Sequence, residues 1–274
     1  MIAVVTDSAA DLPLDLAARH GVRVVPLTVA FGTEALDDGT GLPPETFWDR
    51  IAAGAGVPTT ASPPPEALAR AYRAAAEEGA EGVVSIHLSR ALSRTVETAA
   101  AAGRDAPIPV EVIDSASVSL GQGLVVLAAA AAGAGGSVGE ASAAARRAVA
   151  GIEVFAVLET VDFLRRGGRV GAAKAALSDL LRIRPVLTLA GGQTSLVARA
   201  RTRSRAIAEV LERTRGPAEA AGVLHSRAPE VEDVARAVRE ACGVEPIVSL
   251  IGAVTGSHLG PGAIGVVVLR PSSP

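Results

Sequence analysis

Residues 2–8 read IAVVTDS, an apolar run that ends in an acid and a hydroxyl. Similar short apolar runs recur through the first half of the chain, and helical patterns separate them. This alternation predicts a parallel sheet with helices on both faces. Strands are predicted at 2–8, 22–31 (with Pro26 inside or ending the run), 82–89 and 110–117, and helices at 12–20, 66–78, 95–103 and 121–134.

The pattern changes from about residue 151, where strand-like runs dominate and LAGGQTS, residues 189–195, has the chemistry of a hairpin loop. We therefore expect an α/β protein of two domains. The first, residues 1–150, is a parallel-sheet α/β/α domain, and the second, residues 151–274, is an α/β domain with a mixed sheet. The small residues of 133–151 predict that the boundary falls there. Strands are expected within 151–159, 184–203, 220–226 and 263–269, and helices at 205–215 and 230–242.

Composition narrows the class of protein. The chain has 274 residues, of which 49% are hydrophobic, and a single cysteine, Cys242. One cysteine cannot form a disulfide within the chain, so a reducing cytoplasm is expected. The four histidines lack the spacing of a metal site, and no glycine-rich dinucleotide loop follows the first strand. Residues 115–139 carry no charge but are rich in Ala and Gly, which favours a buried helix over a membrane span.

Basic residues concentrate between 161 and 205, although the net charge is −3. This distribution favours an anionic ligand or an acidic partner surface. Arg169 follows two glycines, as expected of a positioned arginine, whereas Lys174 lacks the Ser or Thr that a P-loop places after its lysine. Residues 198–205 read ARARTRSR and, if extended, would place four arginines on one face for an acidic protein surface or a nucleic acid. No aromatic residues for stacking are interleaved, which argues against nucleic acid.

Hydroxyl side chains cluster before two predicted helices. Thr59 and Thr60 precede the helix at 66–78, and Ser89, Ser93 and Thr95 precede the helix at 95–103. Hydroxyls beside the free N–H groups of a helix start favour anions, so these turns predict a carboxylate-sized pocket, with helix capping as the alternative. The short acids that end strands, Asp7 and Asp114, are expected to form turns. Residues 135–139, GGSVG, match a nucleophile elbow but follow an alanine run and are discounted.

Seven sequence segments, listed below in chain order, together resemble the DegV family of bacterial fatty-acid-binding proteins that serve a fatty acid kinase (FakB-type). The resemblance spans nearly the whole chain. It implies two domains with a long-chain fatty acid between them, an ATP-dependent kinase as partner, no catalytic residues, no cofactor beyond the bound lipid, and neither nucleic-acid binding nor membrane insertion. The segments are VTDSAADL, PTTAS, LSRALSRT, DSASVSLGQG, FLRRGGRVG, RPVL and SHLGPGAIGVVV.

The resemblance also implies roles for individual residues. Thr60 and Ser93 would both bind the carboxylate of the fatty acid. Arg169 and His258 would bind the acyl phosphate as charged hydrogen-bond donors. His258 is expected in a loop whose glycines let it approach the ligand. Ser89, as a substitute for Ser93, and Ser62 are further candidates. The hypothesis of fatty-acid binding depends on one feature, an apolar cavity with hydroxyl side chains at its mouth.

The chain departs from the family pattern at two places. Ala61 and Ser62 follow Thr60 where the family has Ser-Gln, and Arg94 follows Ser93 where the family has glycine. Arg94 would either crowd the carboxylate or add a charge to it. Two other classes of protein also fit the sequence. One is a hydrolase or transferase that acts on acyl phosphates through His258 and Arg169, and the other is a nucleic-acid-binding regulator.

Overall fold

The computed structural model describes residues 1–171 and 183–271, and within them strands and helices alternate. The strands are β1 Ile2–Asp7, β2 Val22–Val25, β3 Thr28–Phe31, β4 Glu34–Asp37, β5 Thr59–Ala61, β6 Gly82–His87, β7 Val110–Asp114, β8 Ile152–Val157, β9 Arg184–Ala190, β10 Gln193–Ala200, β11 Ala220–His225, β12 Ile247–Leu250 and β13 Ile264–Leu269. The helices are α1 Leu14–Arg19, α2 Pro44–Ala52, α3 Pro65–Glu77, α4 Thr95–Arg104, α5 Leu120–Gly133, α6 Val138–Gly151, α7 Asp162–Gly167, α8 Arg203–Thr214, α9 Val231–Cys242 and α10 Ala253–Leu259.

The first sheet is the parallel sheet that the sequence predicts, in the order β2-β1-β6-β7. In its centre, Val4 on β1 lies opposite Val22 on β2 and Val84 on β6. Val4 and its neighbour Val5 point to opposite faces, and both are buried because helices cover both faces. Val4 packs in the cluster that contains α5, and Val5 in the cluster that contains α3 and α4.

The run at 22–31 was predicted as a strand with Pro26 inside it or ending it. The first strand does end just before Pro26, so only the continuation of the same strand to residue 31 is wrong. β2 ends at Val25, and β3 begins at Thr28 in a different, three-stranded antiparallel sheet of order β4-β3-β5. Proline has no N–H to donate to a ladder, so the chain leaves the first sheet here. The small sheet matters for the site because its edge strand β5 carries Thr60.

The second sheet is mixed, as predicted, with the order β10-β9-β8-β13-β11-β12. Only the β11–β12 pair is parallel, and the other pairs are antiparallel. The predicted hairpin loop joins β9 to β10 through Gly191 and Gly192, whose φ angles are +56° and +77°. Glycine adopts these angles without steric cost, which allows the tight connection.

The region of small residues at 133–151, in which the sequence predicts the domain boundary, is largely helix α6. Ser137 and Glu140 form a capping box at its start, so the serine of GGSVG is a helix cap. The division at residues 150 and 151 stays a prediction. The largest apolar cluster contains Leu124 from the first half of the chain and Leu224 from the second, so the two halves share one core.

The uncharged segment is a buried helix, as predicted. Leu124, Val125 and Val126 of α5 are all buried, which fits a helix that is apolar all round. In the part of the chain that the structure describes, no helix has the length and apolar character needed to cross a membrane.

Candidate functional site

A cavity of about 510 Å³ lies between the two larger sheets, and residues from both halves of the chain line it. This volume is within the range of small-molecule sites, roughly 300–1,000 Å³. Most of the wall is aliphatic. The apolar lining residues include Leu27, Leu88, Val118, Val154, Ala156, Leu164, Leu187, Leu189, Leu224, Val254 and Leu259.

The cavity has an exposed side, which we call the mouth, formed by Ala61, Arg90, Ala91 and Arg94. Five of the six predicted site residues line the cavity: Thr60, Ser62, Ser93, Arg169 and His258. The described lining residues include three arginines and no aspartate or glutamate. The cavity therefore combines an apolar wall with a positive rim.

Thr60 and His258, which are 198 residues apart in sequence, meet at the site. The Thr60 hydroxyl and Nε2 of the His258 imidazole are 3.0 Å apart and share a hydrogen bond. Antiparallel pairing of β5 with β3, in which Thr60 lies opposite Val29, fixes the threonine. His258 lies in the last turn of α10, not in a glycine loop as the sequence predicts.

Three hydroxyls form a chain beside this pair. The Ser62 and Ser93 Oγ atoms are 3.0 Å apart, and Ser93 Oγ is 2.9 Å from Oγ1 of Thr95, the first residue of α4. Each hydroxyl can donate or accept, so the chain can reorient toward a ligand oxygen. The two predicted hydroxyl clusters therefore do converge on one place.

Arg169 bridges the two halves of the site through backbone carbonyls. Its Nε donates to the Leu92 carbonyl at 3.2 Å, and one terminal nitrogen donates to the Gly167 carbonyl at 2.7 Å. These bonds hold the half-buried guanidinium against the cavity, as expected of a positioned arginine. A guanidinium has five donors, so others remain for a ligand.

The electrostatics of His258 differ from the expectation of a charged donor. Burial and the neighbouring Arg169 charge lower the pKa of His258 to about 4. The imidazole is therefore neutral near pH 7 before any ligand binds. Its Nδ1 is buried with no hydrogen-bond partner among the described residues.

The glycine that lets His258 approach the site is Gly167, the last residue of α7. A methyl group on Gly167 would overlap the His258 ring, whereas one on Gly256 would overlap the rings of Phe47 and Trp48. The sequence attributes the close approach to the glycines around the histidine, but the decisive glycine comes from a different helix.

Ser89 is absent from the described cavity lining. It is buried and donates a 2.8 Å hydrogen bond to the Gly192 carbonyl in the β9–β10 turn, and it accepts from the Ala91 N–H. Its hydroxyl thereby ties the loop that carries Ser93 to the second sheet. Ser89 does not substitute for Ser93 in this arrangement because its donor is already used by the protein.

Several polar lining residues escaped the sequence analysis: Ser119, Thr188, Thr194 and Thr255. For Thr255 a signal existed, because it lies three residues before His258 and so shares its helix face. That signal is visible only once residues 253–259 are known to be helical. Nothing in the sequence distinguishes the other hydroxyls from ordinary polar positions in strands and turns.

Two buried carboxylates that the sequence did not single out lie below the first turn of α10. The Gly252 and Ala253 N–H groups donate to Asp11 and Asp38 respectively, each at 3.0 Å, and Ser119 Oγ donates to Asp11 at 2.5 Å. Burial is the main cause that raises the pKa of Asp11 to about 7 and that of Asp38 to about 6. The helix that carries His258 therefore rests on groups that titrate near neutral pH.

Asp7 and Asp114 form turns, as predicted. Asp7 accepts from the Ala9 and Leu88 N–H groups and contacts His87, and Asp114 accepts from the Ala116 N–H. Asp7 also joins the end of β1 to the end of β6, whereas the Asp114 bond to Ala116 lies within its own turn.

The extended four-arginine face does not form. Strand β10 ends at Ala200, Thr202 caps α8, and Arg203 begins that helix. Arg203 instead pairs with Glu230 at 2.7 Å and with Glu159 at 3.3 Å. A helix start breaks the two-residue period that would align the arginines, so the nucleic-acid hypothesis loses its basis.

The prediction about Lys174 in the glycine-rich segment concerns a residue outside the described ranges. Within residues 1–171 and 183–271, no group of three or more His, Cys, Asp or Glu side chains is placed to hold a metal ion.

A family model described as "Uncharacterised protein, DegV family" matches residues 1–270. A DegV domain-containing protein of Streptomyces coelicolor is 42% identical over 275 residues, which cover 97% of this chain and 98% of the relative.

Two solved structures are similar over nearly their whole length. A DegV family protein from Thermus thermophilus, described by its fatty-acid binding, is 37% identical with a TM-score of 0.88 and covers 98% of this chain and 99% of its own. DegV of Bacillus subtilis, described as a fatty acid binding protein, is 29% identical with a TM-score of 0.88 and the same coverage. With the parallel and mixed sheets in the same arrangement, this chain belongs to the DegV family.

Proposed function

We propose that the protein binds one long-chain fatty acid in the cavity and presents its carboxylate to an ATP-dependent fatty acid kinase, which converts it to acyl phosphate. The observation that carries the proposal is the cavity itself, with an aliphatic wall, a cluster of hydroxyls and arginines, and no carboxylate among its described lining residues. A ligand with a long apolar tail and an anionic head matches this cavity, because the tail would contact the aliphatic wall and the head would contact the hydroxyls and arginines. Relatives described as fatty-acid-binding proteins share the fold.

The tail supplies most of the binding free energy. A chain of about fourteen methylenes gains on the order of 11 kcal/mol when it leaves water, before the costs of ordering are subtracted. The head group therefore needs orientation more than tight binding. Thr60, Ser62 and Ser93 can orient it through neutral hydrogen bonds.

Weak donors suit a carboxylate that must later react. A carboxylate locked by a bidentate arginine would be a poorer nucleophile toward the phosphoryl group, because its lone pairs would already be engaged. After transfer the head carries more negative charge, and Arg169 lies ready to bind it. An anionic head next to His258 would also raise the pKa of that residue, against the effects of burial and Arg169.

The proposal assigns phosphoryl chemistry to the partner kinase and a carrier role in the cytoplasm to this chain, which would supply acyl phosphate for phospholipid synthesis. The sequence contains no P-loop to hold a nucleotide phosphate. Hydrolysis of acyl phosphate by the purified protein alone, at a steady rate, would contradict the carrier role and favour the alternative of an acyl phosphate hydrolase or transferase.

Ligand extraction tests the binding step directly. We expect mass spectrometry of organic extracts from the purified protein to show a long-chain fatty acid at about one molecule per chain, because one cavity of this volume accommodates one such ligand. The control is the buffer of the same preparation without protein, taken through the same denaturation and extraction. Recovery of a different lipid class, or failure of the delipidated protein to take up oleate, would overturn the proposal.

His258 tests the presentation step. We expect His258→Ala to reduce acyl phosphate formation by the partner kinase about tenfold or more, because Thr60 loses its hydrogen-bond partner and the phosphorylated head loses a donor. Fatty acid affinity should change about twofold or less, since the tail dominates binding. His20→Ala, at an exposed position, is the matched control. Unchanged rate and affinity would remove His258 from the mechanism.

A further inference from the structure

Three arginines are among the described residues that line the cavity, and the protein itself engages two of these three. Arg90 pairs with Asp114 at 2.8 Å, and Arg169 donates to two backbone carbonyls. Arg94 differs. It is exposed at the mouth, and none of the described carboxylates lies within ion-pair distance of its guanidinium. Its charge is therefore available to a ligand.

Apart from Arg169, which lines the cavity and bonds to the Leu92 and Gly167 carbonyls, the other head-group contacts do not distinguish a charged ligand from a neutral one. The hydroxyls of Thr60, Ser62 and Ser93 can donate equally to a carboxylate, an alcohol or an ester. The imidazole of His258 is neutral near pH 7. An aliphatic cavity with such contacts alone would accept neutral lipids of the same length, because the tail supplies the affinity.

Arg94 is placed where this discrimination would act. It follows Ser93 directly and precedes α4, whose first residue, Thr95, belongs to the hydroxyl chain. A head group that reaches the Ser93 hydroxyl is therefore within the span of an arginine side chain rooted at the next residue. The partial positive charge at the start of α4 adds to the same field.

We propose that Arg94 is the residue by which the mouth selects anionic over neutral lipid head groups. The inference rests on the proposed function, because it takes the cavity to bind an acyl chain. It also resolves the two expectations for this position: Arg94 adds charge to the carboxylate site and does not crowd it, since it is exposed at the rim and leaves the cavity open.

The test compares two ligands with one tail, oleate and oleyl alcohol, on the delipidated full chain. We expect Arg94→Gln, which keeps much of the side-chain length but removes the charge, to weaken oleate binding about three- to fivefold and to leave oleyl alcohol unchanged. Arg94→Lys should retain most of the oleate affinity. Arg104→Gln, at the exposed far end of the same helix, removes an equal charge and should leave both ligands unaffected.

The outcomes separate this inference from the function on which it rests. If the wild type binds oleate but the oleate-to-alcohol ratio is the same for Arg94→Gln and Arg104→Gln, the inference fails and the proposed function stands. If Arg94→Gln binds oleate more tightly than the wild type does, the arginine crowds the site. In that case too the inference fails and the proposed function stands. Loss of selectivity in the wild type at high ionic strength would support it, because exposed charges are screened by salt. A wild type that binds no oleate overturns both.

Discussion

Replacing Ala156 with phenylalanine should abolish most fatty acid binding while leaving the protein folded. Ala156 lies on β8 in the apolar wall, where an added ring would occupy space that we assign to the acyl tail. Exclusion of about three methylenes costs roughly 2.4 kcal/mol, or about a 50-fold loss of affinity. Isothermal titration calorimetry or displacement of a fluorescent fatty acid would measure the loss.

A graded series makes this prediction specific. Affinity for oleate should fall in the order Ala, Val, Leu, Phe at position 156, whereas octanoate, with fewer methylenes to exclude, should be less affected. Ala198→Phe provides a matched control, because Ala198 lies on β10 and packs in the separate apolar cluster that covers the other face of the second sheet. Equal affinities along the series, with unfolding temperatures also unchanged, would show that the ligand does not use this wall.

Asp11 should make the stability of the protein fall as the pH rises toward 8. Its pKa is raised from 3.8 to about 7 in the folded state, so the folded protein holds this proton more tightly than the unfolded chain does. Stability is therefore lost as the pH rises from about 4 through about 7, where the buried carboxyl ionises. We expect a loss on the order of 2 kcal/mol between about pH 5 and pH 8 from this group.

Asp11→Asn separates that contribution from the other titrating groups. An asparagine can still accept from the Gly252 N–H, and its amide can donate to Ser119, but it does not ionise. Urea unfolding across the pH range should therefore give the variant a flatter profile than the wild type. Asp105→Asn, at an exposed position, should leave the wild-type slope unchanged. If the free energy of unfolding changed with pH equally in the wild type and in Asp11→Asn, Asp11 would not titrate between about pH 5 and pH 8.

Much of the candidate site was predictable because it depends on local patterns. Thr60, Ser62 and Ser93 are hydroxyls that precede helices, and Arg169 follows two glycines, so each has a signal within a few residues. The resemblance to the DegV family brought them together before any geometry was known. Ser89 carried the same local signal, yet its hydroxyl bonds Gly192 in the opposite half of the chain. Local sequence cannot reveal a partner 103 residues away.

By itself, the sequence determined the alternation of strands and helices, the parallel first sheet, the mixed second sheet and the buried character of α5. Those features follow from hydrophobic periodicity and turn chemistry, which act over about ten residues. Tertiary structure alone decided that His258 lies in the last turn of a helix, that Gly167 admits its ring, and that burial with Arg169 keeps its imidazole neutral. It also decided that Asp11 and Asp38 lie together beneath that helix. Desolvation and charge proximity set these properties, and both depend on which distant segments pack together.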